Sequence, residues 1–141
     1  MPTTRIRRLA TAVPLLATLL LSACGGAVSD DHEVVDPARY DEGSGRITMT
    51  QEASDRLDIQ TVPIRSRGEL LVVPSAALLV EPDGTFYVYT NPEPLVFIPQ
   101  PIDVDRDDGE MAFLTEGPPE GTEVVTVGVP ELYGIQYGMG H

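Results

Sequence analysis

Apolar and polar positions alternate in short runs along the chain after residue 45, and turn residues separate the runs. The clearest pair of runs is LLV at residues 78–80 and FYVY at residues 86–89, on either side of EPDG at residues 81–84. Asp-Gly with a preceding Pro is turn chemistry that folds two strands into a hairpin. The pattern therefore predicts a β-hairpin at the centre of a small β-domain.

The same alternation extends the predicted domain on both sides of this hairpin. Further strands are predicted at residues 46–49, 59–64, 69–73, 95–104, 111–114 and 122–127. Turns are predicted at residues 65–68, 91–94, 105–110 and 117–121, and residues 75–77 begin the first arm of the hairpin. Pro63, Pro99 and Pro101 each lack a backbone donor, so we expect them at an edge or an end of the sheet.

One short helix is predicted near the start of this domain. Thr50 suits an N-cap and Glu52 suits the positive end of a helix that continues to Leu57. Near the C-terminus, PELYG at residues 130–134 predicts a single helical turn, and the glycines that follow argue against a longer helix. The predicted fold class is all-β: a small barrel or sandwich of six or seven strands with one short N-terminal helix.

The N-terminus has the pattern of a bacterial lipoprotein signal. Basic residues precede an apolar run at residues 9–21, as in a secretory signal peptide. The run ends in LSACG at residues 21–25, a lipobox in which Cys24 would carry diacylglycerol and become the mature N-terminus. The alternative is a buried or free thiol in an ordinary export signal. A lone cysteine forms no internal disulfide, and a free thiol is a liability in an exported protein, so lipidation explains Cys24 better. We expect lipidation at Cys24, and hence a chain anchored on the extracytoplasmic face of the cell membrane.

The pattern divides the chain into four segments. These are a signal peptide at residues 1–23, a lipidated, flexible acidic linker at 24–45, a β-domain at 46–133 and a flexible tail at 134–141. The net charge is −13, and the six arginines and 22 acidic residues after Cys24 give the mature chain −16. A charge of this sign argues against a nucleic-acid partner and opposes binding to anionic lipid head groups.

Candidate chemistry is sparse, and we expect no enzyme, cofactor or catalytic residue. The two histidines, His32 and His141, lie in the linker and at the C-terminus, where nothing positions a general base. DDHE at residues 30–33 suits a metal patch, but a solvated linker is the simpler interpretation. Asp103, Asp105, Asp107 and Asp108 are dense enough for an acid pair, but clustered carboxylates in a turn are usually solvated. Residues 105–110 suit a calcium loop, but their spacing is not that of an EF-hand and a hairpin turn explains them more simply.

A soft copper site is the remaining metal hypothesis. Its ligands would be Met49, Met111, Met139 and His141. Met49 and Met111 stand at strand positions, where core packing is the ordinary explanation. No metal ligand is therefore assigned.

Several segments together resemble a known family. They are ITMTQEASDRLDIQTVPI at residues 47–64, VPSA at 73–76, DGTFYVY at 83–89 and EGPPEGTEVVTVG at 116–128. Their order and spacing resemble the membrane-proximal domain of periplasmic adaptor proteins, the membrane fusion proteins of bacterial efflux and secretion systems. The resemblance implies a β-domain that docks on an inner-membrane transporter.

The chain also departs from that family. Pro118 stands where the family usually has Leu, and Glu123 where a basic or polar residue is common. Only residues 65–73 separate Ile64 from Pro74, where a complete adaptor carries an α-helical hairpin, a lipoyl-like domain and a β-barrel domain. The resemblance therefore covers the membrane-proximal domain alone.

The expected function follows from the lipobox and this resemblance. We expect a non-enzymatic, lipid-anchored accessory protein of an efflux or secretion system, with membrane lipid bound through Cys24 and a membrane transporter as its protein partner. The alternative is an extracytoplasmic lipoprotein that binds a metal or another cationic solute through its carboxylates.

Overall fold

A computed structural model describes residues 36–139, which form ten strands and two short helices. In chain order the elements are β1 (Ala38–Asp41), β2 (Arg46–Met49), α1 (Gln51–Arg56), β3 (Gln60–Pro63), β4 (Arg65–Arg67), β5 (Leu70–Pro74), β6 (Leu79–Val80), β7 (Phe86–Glu93), β8 (Val96–Asp107), β9 (Met111–Glu116), β10 (Glu123–Val127) and α2 (Val129–Gln136). The predicted all-β class is confirmed.

Seven of the strands form a curled antiparallel sheet with the shape of a half-barrel. Their order is β3-β10-β7-β8-β9-β5-β4, so the end strands β3 and β4 are consecutive in the chain. Ile64 alone separates them, and its N–H donates to the Thr122 carbonyl at 2.8 Å. Its carbonyl accepts from the Gly121 N–H at 2.9 Å. The chain thus passes from one end of the sheet to the other at Ile64, which gives the sheet a barrel-like shape.

The inside of this curl is an apolar core, because alternate side chains of each strand point inward. Val88 and its neighbour Tyr89 on β7 illustrate the alternation, since they belong to different clusters. The buried members of the inner cluster are Ile64, Val73, Ala77, Val88, Ile102, Ala112, Leu114 and Val124.

A second apolar cluster lies on the outer surface of β7 and β10, beneath β2 and the two helices. Its buried members are Ile47, Met49, Ala53, Tyr89, Phe97, Val125, Val129 and Leu132. The Tyr89 hydroxyl donates to Gln136 Oε1 at 2.6 Å, which fastens the end of α2 to β7. Met49 is therefore a core residue, as the strand position predicted.

The predicted helix start and the predicted proline positions are confirmed. Thr50 is the N-cap of α1, and its Oγ1 accepts from the Ala53 N–H at 3.2 Å. β3, which ends at Pro63, lies at an end of the sheet. Pro99 and Pro101 lie in the middle of β8. On one side, β8 pairs with β2 before these prolines and with β9 after them, so at the prolines themselves it pairs only with β7. The missing donors therefore face a local edge.

Several predicted boundaries are wrong for reasons of tertiary structure. Residues 38–41, predicted as linker, form β1, because they pair with β2 in full register. Residues 65–68 are predicted as a turn, but the first three of them form β4. Their exposed polar side chains give no sign of a strand, and backbone pairing with β5 holds them in an extended conformation. Residues 75–77, predicted to begin the hairpin arm, form a 3₁₀ turn instead.

The long strands and the last helix also run further than predicted. β7 continues through a bulge to Glu93, and β8 continues to Asp107, which shortens the acidic turn to residues 108–110. α2 has eight residues and includes Gly134, because Leu132 and Ile135 pack on the outer cluster and compensate for the poor helix propensity of glycine. Within residues 36–139, neither helix is long or apolar enough to cross a bilayer.

Candidate docking site

Most of the sequence-predicted chemistry is not brought together by the fold. Cys24, His32 and His141 lie outside the described residues. Met49 is in the outer core cluster, whereas Met111 lies on a different surface and lines a groove with Val62 and Pro74. Across residues 36–139, no three His, Cys, Asp or Glu side chains form a group able to hold a metal ion.

The acidic turn between β8 and β9 uses its carboxylates to build itself. Asp107 accepts from the Ser75 hydroxyl and from the Gly109 N–H, and Asp108 Oδ1 accepts from the N–H groups of Glu110 and Met111 at 3.0 and 2.8 Å. The two backbone hydrogen bonds, of which the one from Met111 has the larger effect, hold the pKa of the exposed Asp108 below its usual value. The turn is therefore a hydrogen-bonded hairpin, as its simpler interpretation predicted.

In the described residues, the core contains no buried side-chain polar group without a hydrogen-bond partner. Thr90 is the one buried polar residue there, and its hydroxyl donates to the Ile98 carbonyl at 3.1 Å. In the described part of the chain, every buried side-chain nitrogen and oxygen has a hydrogen-bond partner. Candidate function must therefore be sought on the surface.

The surface feature with the most distinctive chemistry is a row of side chains on the outside of β4, β5, β9 and β8. Cross-strand register places Arg65 opposite Val72, Val72 opposite Phe113, and Phe113 opposite Arg106. Directly opposed residues share one side of a sheet, and so does Arg67, two residues after Arg65. We call these five residues, Arg65, Arg67, Val72, Arg106 and Phe113, the arginine face.

Phe113 is at the centre of the arginine face and is covered by two guanidinium groups. The Arg106 Cζ atom lies 3.9 Å from the centroid of the Phe113 ring, and the Arg67 Cζ atom lies 5.7 Å from it. Both separations are in the range of cation–π attraction. Although it points away from the inner core, Phe113 is only 4% exposed. The arginine stems thus bury the ring and hold the two charges above it.

A β-bulge aims Arg106 at this face. By strict alternation, Arg106 would share the inner side of β8 with Ile102 and Val104. The register shifts on both sides of Val104, so Val104 pairs with the inner residue Leu114 and Arg106 pairs with the outer residue Phe113. Bulges commonly redirect a side chain in this way.

The arginines of this face are poorly paired although the domain is strongly acidic. Residues 36–139 contain six arginines against nineteen acidic residues. Among these residues, Arg65 and Arg67 have no carboxylate oxygen within 4.0 Å, and the one contact of Arg106, with Asp105, is long at 3.7 Å. Elsewhere, Arg56 pairs with Glu52 at 2.7 Å. Arg39 of β1 also lacks a carboxylate oxygen within 4.0 Å among the described residues, but it stands alone, whereas the arginine face gathers three arginines without a short ion pair.

An apolar groove of about 220 Å³ adjoins the arginine face. It is lined by Val62, Pro63, Arg65, Val72, Pro74 and Met111. Arg65 and Val72 belong to both features, so the groove and the face form one continuous surface. A partner that reaches the arginines can also place an apolar side chain in this groove.

A larger apolar cavity of about 290 Å³ lies in the outer layer, between β1, α1 and the end of α2. Arg56 is its one charged lining residue, and that arginine is already paired with Glu52. This cavity therefore lacks the unneutralised charge that marks the arginine face.

The central hairpin is tied to the end of α2 by one side-chain contact. The Tyr137 hydroxyl donates to Glu81 Oε1 at 2.9 Å, and the Tyr137 ring packs on Tyr133 with centroids 4.7 Å apart. The hydrogen bond to Glu81 raises the pKa of Tyr137 to about 12, because the carboxylate stabilises the protonated phenol. Burial raises the pKa of Tyr89 above its usual value as well.

We expect Glu81→Ala to lower the pKa of Tyr137 from about 12 towards 10, which a tyrosinate absorbance titration measures, with Tyr137→Phe identifying the transition. The contribution of this contact to stability is present below pH 10 and is lost as pH rises through about 12, since the native state then holds a proton that the unfolded chain has released. An unchanged titration in Glu81→Ala would show that the hydrogen bond does not set this pKa.

Sequence reasoning missed the arginine face. Arg65 and Arg67 lie in a segment predicted as a turn, and Arg106 lies in the predicted acidic turn. One signal was available: three of the six arginines after Cys24 lie in RSR and DRD, next to predicted strands.

Comparisons of the chain with protein-family models, with curated proteins and with solved structures gave no match.

Proposed function

We propose that the protein is a non-enzymatic, lipid-anchored accessory protein on the extracytoplasmic face of the cell membrane, and that its β-domain docks on a transporter of an efflux or secretion system. The arginine face is the observation that carries this proposal. Arginine and aromatic residues are enriched at the centres of protein interfaces, where they supply much of the binding energy. The lipobox at Cys24 supplies the anchor.

The position of the arginine face supports docking of this kind. β4 and β5 form the hairpin that lies between Ile64 and Pro74, where the adaptor resemblance would place the large inserted domains. Here the hairpin completes the curl of the sheet, and the Ser66 N–H donates to Glu120 Oε1 at 3.1 Å across the join. The hairpin therefore offers a rigid outer surface for a partner and no arm that extends away from the membrane.

Affinity capture from detergent-solubilised membranes of the producing bacterium tests the proposal. The bait is the full chain, compared with Arg67→Gln/Arg106→Gln and with the control Arg39→Gln. Glutamine keeps part of the aliphatic stem over Phe113 and removes the charge, and Arg39 is an exposed residue of β1, away from the face. Mass spectrometry identifies the captured proteins, and circular dichroism checks that each variant is folded.

We expect the native chain and Arg39→Gln to capture a transporter subunit in similar amounts. The double variant should retain less than about a tenth of that amount, since paired loss at an interface centre commonly costs more than tenfold in affinity. Capture of no transporter subunit, or equal capture by the folded double variant, would contradict the proposal.

A further inference from the structure

We propose that the arginine face binds an extended acidic segment of a partner protein, with two carboxylates at alternate positions held by Arg67 and Arg106. This inference rests on the proposed function, because it specifies the chemistry of the partner surface that meets the docking face.

The state of the two guanidinium groups indicates an anionic ligand. A guanidinium held over an aromatic ring keeps its N–H donors, and these match the two oxygens of a carboxylate. Contact with Phe113 restricts both groups before any ligand arrives, so less conformational entropy is lost on binding. The existing contact of Arg106 with Asp105 is solvent-exposed and long, so an incoming carboxylate displaces it at little cost.

The positions of the two groups limit how the carboxylates are arranged. Their Cζ atoms lie 3.9 and 5.7 Å from the centroid of one ring, so the two atoms are less than about 10 Å apart. In an extended peptide, alternate side chains point the same way and stand roughly 7 Å apart. Two acidic side chains at positions i and i+2 therefore reach Arg67 and Arg106 together, whereas adjacent acidic residues point to opposite sides.

The surroundings favour a protein segment over a lipid head group or free phosphate. The chain carries a net charge of −13, so a broad anionic membrane repels it, whereas a short segment meets the arginine face alone. The adjoining groove is walled by Val62, Pro74 and Met111, which suits an apolar side chain next to the acidic pair. A segment that combines acidic and apolar residues fits both parts of the surface.

Fluorescence anisotropy with the purified full chain in phosphatidylcholine nanodiscs tests this inference. The probes are a labelled peptide with glutamates at alternate positions flanked by a leucine, the same peptide with glutamines, and an isomer with adjacent glutamates. The chain is tested as the native protein, as Arg106→Lys, as Arg67→Gln/Arg106→Gln and as Arg39→Gln. Inorganic phosphate and phosphatidylglycerol vesicles serve as competitors.

We expect the alternating glutamate peptide to bind at least about tenfold more tightly than the glutamine peptide, as charge-assisted hydrogen bonds imply. Arg106→Lys should weaken binding about fivefold, because lysine keeps the charge and loses the planar fork. The double variant should lose binding, and Arg39→Gln should change it less than about twofold.

Three results would overturn the inference: equal binding of the glutamate and glutamine peptides, equal binding of the alternating and adjacent isomers, or displacement of the peptide by phosphate or vesicles at comparable concentration. Loss of peptide binding alongside capture of a transporter that depends on Arg67 and Arg106 would contradict this inference alone. Peptide binding without transporter capture would contradict the proposed function instead.

Discussion

Gly128→Ala is expected to lower the free energy of unfolding by about 3 kcal/mol, the largest effect that we expect from adding one methyl group. Gly128 joins β10 to α2 with a φ of +97°, a conformation that costs a non-glycine residue about 1–2 kcal/mol. A Cβ atom there would also overlap Ile59 Cδ1, the end of a half-buried side chain that can turn aside, so this crowding adds about 1 kcal/mol, the low end for overpacking. Denaturant unfolding followed by circular dichroism measures the loss.

Gly84→Ala is the matched control for this prediction. Gly84 also has a positive φ, +89°, but an added Cβ would have no atom within 4 Å. Its substitution should therefore cost only the backbone term, about 1–2 kcal/mol. Equal losses at Gly84 and Gly128 would show that packing against Ile59 does not hold α2 in place.

Local chemistry explains what the sequence predicts correctly. The hairpin of β6 and β7 forms around Asp83 and Gly84, where Asp83 Oδ1 accepts from the Thr85 N–H at 2.9 Å. The α1 N-cap depends on Thr50 and a residue three positions later. Both signals lie within a few residues of each other, so the sequence displays them directly.

Elements that depend on distant partners could not be predicted in the same way. β4 consists of three exposed polar residues, so no apolar alternation marks it. In β1, Ala38 and Tyr40 alternate with polar residues, but over only four residues within an acidic segment. Each forms a strand because its backbone pairs with an adjacent strand, β1 with β2 and β4 with β5, and this pairing depends on the tertiary fold.

The arginine face shows the same limit most clearly. Its residues come from residues 65–67, from Val72 and from residues 106–113, which only the order of the strands brings together. Alternation alone would point Arg106 inward, and the bulge beside Val104 reverses it. A bulge depends on how two strands pair, so it cannot be predicted from the sequence of one strand alone.

The arginine face also changes the interpretation of the acidic composition. The net charge of −13 argues against some partner classes but identifies none. The distribution of charge is more informative, because Arg67 and Arg106 share one ring and neither has a short ion pair with a carboxylate of the described residues. The surface proposed for docking therefore gathers three of the six arginines that follow Cys24.

Site-specific photo-cross-linking in living cells tests docking through the arginine face. A photoreactive phenylalanine replaces Glu69, in the turn between β4 and β5 beside the arginine face, or Glu42, in the turn between β1 and β2. Both are exposed glutamates in turns, so the substitutions are closely matched. Each is made in the native chain and in Arg67→Gln/Arg106→Gln, and the cross-linked products are identified by mass spectrometry.

We expect a cross-link from Glu69 to a membrane transport protein, at least about tenfold stronger than any from Glu42, since contact at an interface is confined to one patch. We also expect that cross-link to be lost in the double variant. An equally strong cross-link from Glu42, or a Glu69 cross-link that persists without the two arginines, would contradict docking through the arginine face.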